Sequence, residues 1–245
     1  MRPLFRFWIW FVWERLHLMY SLIHQQVDAI VLVPIDSKAL VQPVVEAVRK
    51  GVPVINIDIR LDTQLLEQAG VEVAFVGPDN FAAAYEVGKL LDKKLRNEDK
   101  VAIIEGLTAA DNAQQRKRGF IKAIEEKGLR LVASEPADWE TEKAAEVFQA
   151  MWMRYPDLKA VYCSNDAMAL GVLQQMQEKN CYLPVVGFDN DAVMKEFLST
   201  GKLVATADIF SSQMAVRGIE FALDVLEGKI ENRGVHSTAY EIIKQ

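Results

Sequence analysis

The chain has 245 residues, of which 51% are hydrophobic, and it carries a net charge of −6 at neutral pH. The hydrophobic content excludes a disordered chain, and the length is sufficient for two lobes or for one large domain with a real core. The acidic balance argues against a nucleic-acid surface that follows phosphate groups.

The first 26 residues contain seven of the 22 aromatic residues. Arg2 and Arg6 precede an apolar stretch, Phe7–Trp13, as in a secretory signal peptide. However, Glu14 and Arg15 follow in place of a small-residue cleavage site, and the stretch is far shorter than the ~20 apolar residues of a membrane span. We therefore expect an atypical amino terminus without a targeting role rather than an export signal.

Five apolar runs with the character of strands follow, and each ends in a cluster of polar residues. These runs are Asp28–Pro34, Pro53–Ile57, Val101–Ile104, Ala160–Cys163 and Leu183–Phe188. Apolar residues at helical spacing predict helices over Val41–Arg49, Phe81–Arg96, Asn112–Lys127, Glu142–Met153, Ala167–Glu178, Ala192–Thr200 and Ser212–Leu226. Strands that alternate with helices predict an α/β fold with parallel sheets, whose ligands bind beyond the carboxyl ends of the strands.

The polar residues after these runs are carboxylates, carboxamides, hydroxyls and one arginine, without a recurring nucleophile and base. Such a set is better suited to hydrogen bonding of a polar ligand than to its transformation. The sequence lacks the nucleophile elbow, the phosphate-binding loop, the dinucleotide fingerprint and the zinc-protease motif. We expect no catalytic residues, no metal site and no cofactor. Cys163 and Cys181 are expected to be free thiols rather than a bridge.

No low-complexity linker divides the chain. The break at Gly77–Asn80 is the predicted crossover between two lobes, with Asp79 and Asn80 as hinge residues, and a second break lies at Asp208–Ser212. The run His236–Ile243 is predicted to be one last strand. We expect residues 1–78 plus 210–235 to form an incomplete first lobe, and residues 79–209 plus 236–245 to form the second.

Several motifs carry a family resemblance: VDAIVLVPIDSKALVQPVVEAVRKGVPVINID, FVGPDN, QRKRGF, EPADW, LKAVYCSNDAMALGVL, VVGFDND and GKLVATAD. In these motifs, the chain from about Gln25 to Gln245 resembles the ribose-binding type of monosaccharide-binding proteins, which serve bacterial ABC transporters. The resemblance implies a type I periplasmic binding protein fold, in which two doubly wound lobes joined by a hinge close on a sugar. The ligand-sensing core of a lac-repressor-class regulator, without its DNA-binding domain, is the alternative.

The resemblance implies ligand-binding roles for five residues. Asp58 matches the first-lobe aspartate that accepts hydrogen bonds from sugar hydroxyls, and Arg116 matches the arginine that reaches the ring oxygen or a hydroxyl. Trp139 lies where the family places an aromatic ring against the apolar face of the sugar. Asn165 and Asp189 match the amide and the carboxylate of the second lobe. All five are expected to line one cleft.

Each of these residues also has a structural interpretation. The two aspartates and the asparagine follow strands, where such residues often form caps and turns. Arg116 could be a surface helix residue, as we expect Lys117 and Arg118 to be, and Trp139 could be part of the core. Carboxylates and amides pair well with hydroxyls, which both donate and accept, so that the whole set favours ligand contact.

The implied ligand is a neutral monosaccharide or polyol, because one cation against two carboxylates is a poor match for a phosphate group. The implied partner is an ABC transporter permease or a chemoreceptor, with no nucleic acid, for a monomer in the periplasm or at the cell surface. Two features depart from the family: an opening strand, helix and strand is absent, and Ile209 stands where an amide is frequent. We therefore expect Asp28–Val33 to be an exposed edge strand and sugar binding to be weak.

Overall fold

The computed structural model describes residues 3–244, and the side chains of residues 13–91 and 93–244. By its packing, the chain divides into two compact units. Unit 1 comprises Met1–Gly77, Ala109–Asp111 and Ser212–Thr238, and unit 2 comprises Pro78–Thr108, Asn112–Ser211 and Ala239–Gln245.

Unit 1 is built on a four-stranded sheet in the order β1-β2-β3-β9. The strands are β1 (Ile30–Leu32), β2 (Val54–Ile57), β3 (Phe75–Pro78) and β9 (Val235–Thr238), and the helices are α1 (Pro3–His24), α2 (Val41–Arg49), α3 (Thr63–Gln68) and α9 (Ser211–Leu226). The first three strands are parallel, with Ile30 opposite Val54 and Asn56 opposite Phe75. This is the parallel arrangement that the alternating pattern predicts.

Both faces of β2, which lies between β1 and β3, are covered. Val54 packs with residues of α1, α2 and α3, whereas its neighbour Ile55 packs in a second cluster with Ala222 of α9. Successive strand side chains point to opposite faces, so that a strand between two helical layers has no exposed position. All four residues of β2 are accordingly buried.

The second half of α1 belongs to the core of unit 1. Met19 and Ile23 lie four residues apart on one face of the helix, and both are buried against α2. Arg15 of the same helix donates from Nη1 to the carbonyl oxygen of Val33, at 2.7 Å. The signal-peptide comparison depends on Arg2, Arg6 and the apolar stretch up to residue 12, whose side chains lie outside the described residues. Within the described part of the chain, no helix is both long and apolar enough to cross a membrane.

Unit 2 contains a six-stranded sheet in the order β10-β8-β7-β6-β4-β5. Its strands are β4 (Lys100–Glu105), β5 (Arg130–Pro136), β6 (Ala160–Cys163), β7 (Val185–Val186), β8 (Leu203–Asp208) and β10 (Glu241–Lys244), and its helices are α4 (Asn80–Asp92), α5 (Asp111–Lys127), α6 (Thr141–Arg154), α7 (Asp166–Glu178) and α8 (Met194–Ser199). All pairs are parallel except β8 with β10. The strand order reverses between β4 and β6, and the crevice at such a switch point is the usual ligand site.

The central strand β6 contributes buried side chains to both faces of the sheet in unit 2. Val161 and Cys163 of β6 pack in the cluster formed by α6 and α7, while Tyr162, between them, meets Phe120 of α5 with ring centroids 5.4 Å apart. Cys163 and Cys181 are both free thiols, as the sequence predicts. Burial raises the pKa of the Cys163 thiol well above its usual range.

The structure differs from the predicted elements in two places. The run His236–Ile243 is two strands rather than one, because β9 pairs in the sheet of unit 1 and β10 pairs antiparallel to β8 in the sheet of unit 2. The helix predicted over Ala192–Thr200 is shorter in the structure: α8 begins at Met194, whose amide N–H donates to the main-chain oxygen of Asp191.

One face of α9 is apolar but exposed. Val216, Ile219, Leu223 and Leu226 follow at helical spacing and are each about half exposed, while the opposite face, with Met214, is buried. Exposed apolar stripes lower solubility and contribute little to folding. We expect the double variant Ile219→Gln/Leu223→Gln to raise the solubility limit while changing the free energy of unfolding by no more than about 0.5 kcal/mol.

Met214→Gln is the matched control, because it places the same amide in an apolar interior. It should lower the free energy of unfolding by about 1–3 kcal/mol. Chemical unfolding and light scattering measure both quantities. A double variant that unfolds as easily as the Met214 variant would show that the exposed stripe is buried in solution.

Candidate ligand-binding site

Arg116 is the centre of the site in unit 2. It lies on the inner face of α5 together with Asn112, Ala113 and Phe120, and it is only 3% exposed. Its Nε donates to Oδ1 of Asn80 at 2.9 Å, and its Nη1 donates to the carbonyl oxygen of Ser164 at 2.8 Å. A buried cation requires such partners, and these bonds hold the guanidinium in one orientation.

A carboxylate and two rings surround this guanidinium. Oδ1 of Asp189 lies 3.4 Å from Nη1, which is an ion pair that is only partly accessible to water. The Arg116 Cζ lies 3.7 Å from the centre of the Phe188 ring and 5.5 Å from that of the Trp139 ring. Cations are attracted to the faces of aromatic rings at these distances. Among the described contacts, none uses the Nη2 group, so that two of the five guanidinium N–H donors are left for a ligand.

Asp189 lies on a loop whose backbone is unusual. Asp189 has φ 111° and Asn190 has φ 58°, a region that residues other than glycine rarely occupy. The loop is held by hydrogen bonds from the Asp189 N–H to the oxygen of Ala207, at 2.7 Å, and from the Asn190 N–H to the Thr206 hydroxyl, at 3.2 Å. Strain of this kind persists where surrounding contacts determine the geometry, as they do at binding sites.

Asn165 combines a structural function with a possible ligand function. It is the N-cap of α7, and its Oδ1 accepts from the N–H of Met168 at 2.8 Å. The capping interpretation of the sequence is thus correct for the oxygen atom. Its amide nitrogen takes part in none of the described hydrogen bonds and retains two donors. Its contact with a ligand stays a prediction.

Trp139 follows β5 in a turn with φ 70°. Its indole lies directly against Gly106, the residue after β4, where an added Cβ would be 2.0 Å from the ring. The ring is half-buried and also packs on the apolar core of unit 2. Trp139 therefore packs as a core residue would. Its ring is also close enough to Arg116 for a cation–π contact.

Asp58 lies in unit 1, directly after β2. Its φ is 65°, and its N–H donates to the oxygen of Val76 at 3.3 Å. The buried side chain of Asn56 determines the course of this loop, because it donates to the oxygen of Ile59 and accepts from the N–H of Leu61, both at 2.8 Å. Asp58 is half-buried. The hydrogen bonds of Asn56 hold the loop that carries its carboxylate in one conformation.

Four of the five predicted residues thus lie in unit 2, where Arg116 contacts Asp189 directly and has Trp139 within range. Asn165 is next to Ser164, whose carbonyl oxygen binds the same arginine. Asp58 belongs to the other unit. That all five line one cleft stays a prediction.

Sequence reasoning missed Asn80, which it assigned to the hinge. Asn80 is 1% exposed, and it orients Arg116 through its side-chain oxygen. It also missed Phe188, which is fully buried under the guanidinium. A motif cannot reveal such roles by itself, because they depend on which residues pack around the guanidinium.

Lys117 was expected to be a surface helix residue, but it is half-buried and forms an ion pair. Its Nζ lies 2.7 Å from Oε1 of Glu105, a carboxylate that is only 4% exposed. The same oxygen accepts from the Ser134 hydroxyl. Arg118, one residue further on, is exposed as predicted. In the described residues, no three His, Cys, Asp or Glu side chains come together as possible metal ligands.

A family profile described as a periplasmic binding protein domain matches residues 16–230. The D-ribose/D-allose-binding protein of Pseudomonas aeruginosa is 41% identical over 235 residues, which are 94% of this chain and 74% of that protein. The solved solute-binding protein of an ABC transporter from Burkholderia multivorans has a TM-score of 0.91 at 39% identity, over 95% of this chain and 83% of its own. A second one, from Actinobacillus succinogenes with bound D-allose, has a TM-score of 0.87 at 31% identity, over 93% and 82%.

The matched region contains every strand and helix that positions the residues above, and the fold agrees with the two parallel sheets found here. The chain therefore belongs to the periplasmic sugar-binding proteins of the ribose/allose-binding type, the solute-binding proteins of ABC transporters.

Proposed function

We propose that this chain is the monosaccharide-binding component of an ABC transport system of the ribose/allose type, and that it binds its sugar without transforming it. The observation that carries the proposal is the Arg116–Asp189 pair, which joins unused N–H donors to a carboxylate beside a tryptophan ring. The relatives support this function over the core of a transcription regulator, since those named above are binding proteins of transport systems.

The chemistry of this pair is suited to a neutral sugar. A sugar hydroxyl donates one hydrogen bond and accepts others, so it can bridge the Nη2 donors of Arg116 and an oxygen of Asp189. Bonds to charged groups are the stronger ones, and the indole of Trp139 offers an apolar face to the C–H groups of a sugar ring. We propose that Asn165 donates to a further hydroxyl and that Asp58 accepts from another.

The partner is proposed to be a membrane permease or a chemoreceptor. The predicted lobes, 1–78 plus 210–235 and 79–209 plus 236–245, are proposed to close around the sugar and to present a new surface to that partner, which is a population shift driven by the ligand. We propose that the protein acts as a monomer in the periplasm or at the cell surface, and without nucleic acid.

Isothermal titration calorimetry tests the ligand class. D-Ribose, D-allose and xylitol are compared with D-ribose 5-phosphate on the same protein. We expect binding of at least one neutral compound, and an affinity for the phosphate ester at least about 30-fold lower than for D-ribose, because a second anion beside Asp189 is repelled.

Each outcome of this titration has a clear meaning. A preference for the phosphate ester would overturn the ligand class, and a continuing heat signal with formation of a new product would show an enzyme. Absence of binding to every neutral sugar and polyol at millimolar concentration would reject the proposed function.

A further inference from the structure

Asp166 carries a buried carboxylate and is not one of the five proposed ligand-binding residues. It is the first residue of α7, directly after Asn165, and it is 0% exposed. Its Oδ1 accepts from the N–H of Phe188 and from the Thr206 hydroxyl, both at 2.9 Å. Its Oδ2 accepts from the N–H of Asp191 at 2.9 Å.

These bonds hold both ends of the loop that carries Asp189. Phe188 and Asp191 flank the two residues in the left-handed region, Asp189 and Asn190. The main-chain N–H of Asp166 also donates to the oxygen of Phe188 at 2.7 Å. A single carboxylate thus fixes the entry and the exit of a strained loop, while its middle is left to reach Arg116.

Thr206 extends the contact to the middle of the loop. Its hydroxyl donates to Oδ1 of Asp166 and accepts from the N–H of Asn190. Gly187 makes space for this arrangement, because a Cβ at that position would lie 2.0 Å from Oδ1 of Asp166. Gly187 thus leaves space for the Asp166 carboxylate, and Thr206 supplies a hydrogen bond to it.

We propose that Asp166 is a positioning residue, whose ionised carboxylate sets the Phe188–Asp191 loop in its sugar-binding geometry, so that sugar affinity falls when Asp166 is protonated. This inference rests on the proposed function. The two oxygens accept from different backbone N–H groups. When one oxygen is protonated it becomes a poor acceptor, and one end of the loop is released.

The surroundings place this protonation near neutral pH. The pKa of Asp166 is raised to about 7, mainly by burial and to a smaller extent by the nearby charge of Asp191, while the hydrogen bonds from the Asp191 N–H, Thr206 and the Phe188 N–H act in the opposite direction. The other titratable or charged groups on the surrounding elements are Cys163 of β6, Arg116 of α5, Asp189 of the loop and Asp208 of β8.

Protonation of Asp166 is expected to stabilise the fold but to weaken sugar binding. Because the folded-state pKa lies above the ordinary value of 3.8, the stabilisation that protonation provides is complete below pH 3.8 and is lost as the pH rises through about 7. Sugar affinity is expected to rise over the upper part of the same interval. A merely structural carboxylate would change stability over this interval and leave sugar affinity constant.

The test measures D-ribose and D-allose affinity at pH 5.5, 7.0 and 8.5 for the parent and for Asp166→Asn. We expect the parent to lose about tenfold in affinity between pH 8.5 and pH 5.5. At pH 8.5 the variant should bind about tenfold more weakly than the parent, because its NH₂ group replaces the acceptor of one loop N–H, and its affinity should be independent of pH. Glu196→Gln, an acid-to-amide change at an exposed position of α8, should keep the profile of the parent.

NMR on the parent alone gives a second readout that needs neither a variant nor a sugar. The amide signal of Asp191 should shift with a midpoint near pH 7. An Asp191 signal that does not move between pH 5.5 and 8.5, or a parent affinity that is constant over this range, would overturn the inference while leaving the proposed function intact. Absence of sugar binding at every pH would reject the proposed function and this inference with it.

Discussion

Arg116→Met is expected to lower sugar affinity by at least about 100-fold. Hydrogen bonds that involve a charged group contribute about 1.5–3 kcal/mol, and the loss of the guanidinium removes the two free Nη2 donors together with the ion-pair partner of Asp189. The variant should also unfold more easily, because Asn80 and the Ser164 carbonyl group lose a partner in a buried site.

Arg118→Met is the matched control, because it makes the same change on the same helix at an exposed position. It should bind sugar like the parent. Arg116→Lys keeps the charge but lacks the planar fork that reaches Asn80, Ser164 and Asp189 at once, so that we expect an affinity between those of the parent and the Met variant. Calorimetry gives the affinities. A Met variant that binds like the parent would remove Arg116 from the site.

Gly171→Ala is expected to lower the free energy of unfolding by about 3 kcal/mol. Helices α6 and α7 approach so closely at this residue that an added Cβ would lie 2.0 Å from the main-chain oxygen of Thr141 and 3.3 Å from the main-chain nitrogen of Ala145. Alanine alone would stabilise a helix by about 1 kcal/mol relative to glycine, so the clash must exceed this gain. Backbone atoms cannot move aside as a flexible side chain can, and overpacking of this kind is costly.

The comparison for this variant is Gln174→Ala, at an exposed position on the same helix. It should leave the midpoint of urea unfolding unchanged or slightly raised. If Gly171→Ala also raised the midpoint, helix propensity would outweigh the contact, and the two helices would have to be further apart in solution than in the structure.

Elements with a strong local pattern were predictable. Helix α2 has the predicted bounds, and β6 coincides with the run Ala160–Cys163. Helix α3 was not predicted, because its six residues contain too few apolar positions to show a period. The division between β9 and β10 was not predictable from the run itself, since its alternation says which residues share a face but not which sheet supplies the partner.

For the site, the position of polar residues after strands together with the family resemblance suggested that Arg116 and Asp189 converge, and the structure shows the contact. Asn80 and Asp166 were missed for one common reason. Each is a polar side chain that is buried by elements distant in sequence, and its function depends on the bond it makes there. Local sequence predicts caps and turns at such positions, and only tertiary packing turns them into supports for a binding residue.

The strand order also has a consequence for synthesis of the chain. β3 pairs with β9 and β8 pairs with β10, so that both sheets receive their last strand from residues 235–244. The sheet of unit 1 can therefore be completed only after β4 to β8 of unit 2 have been synthesised. At translation rates of 5–20 residues per second, the open edge of β3 waits roughly 10–30 s for its partner. The edge of β8 is open for only roughly 2–7 s of that time. A holding chaperone should therefore matter more for this protein than for one whose sheets are completed in sequence.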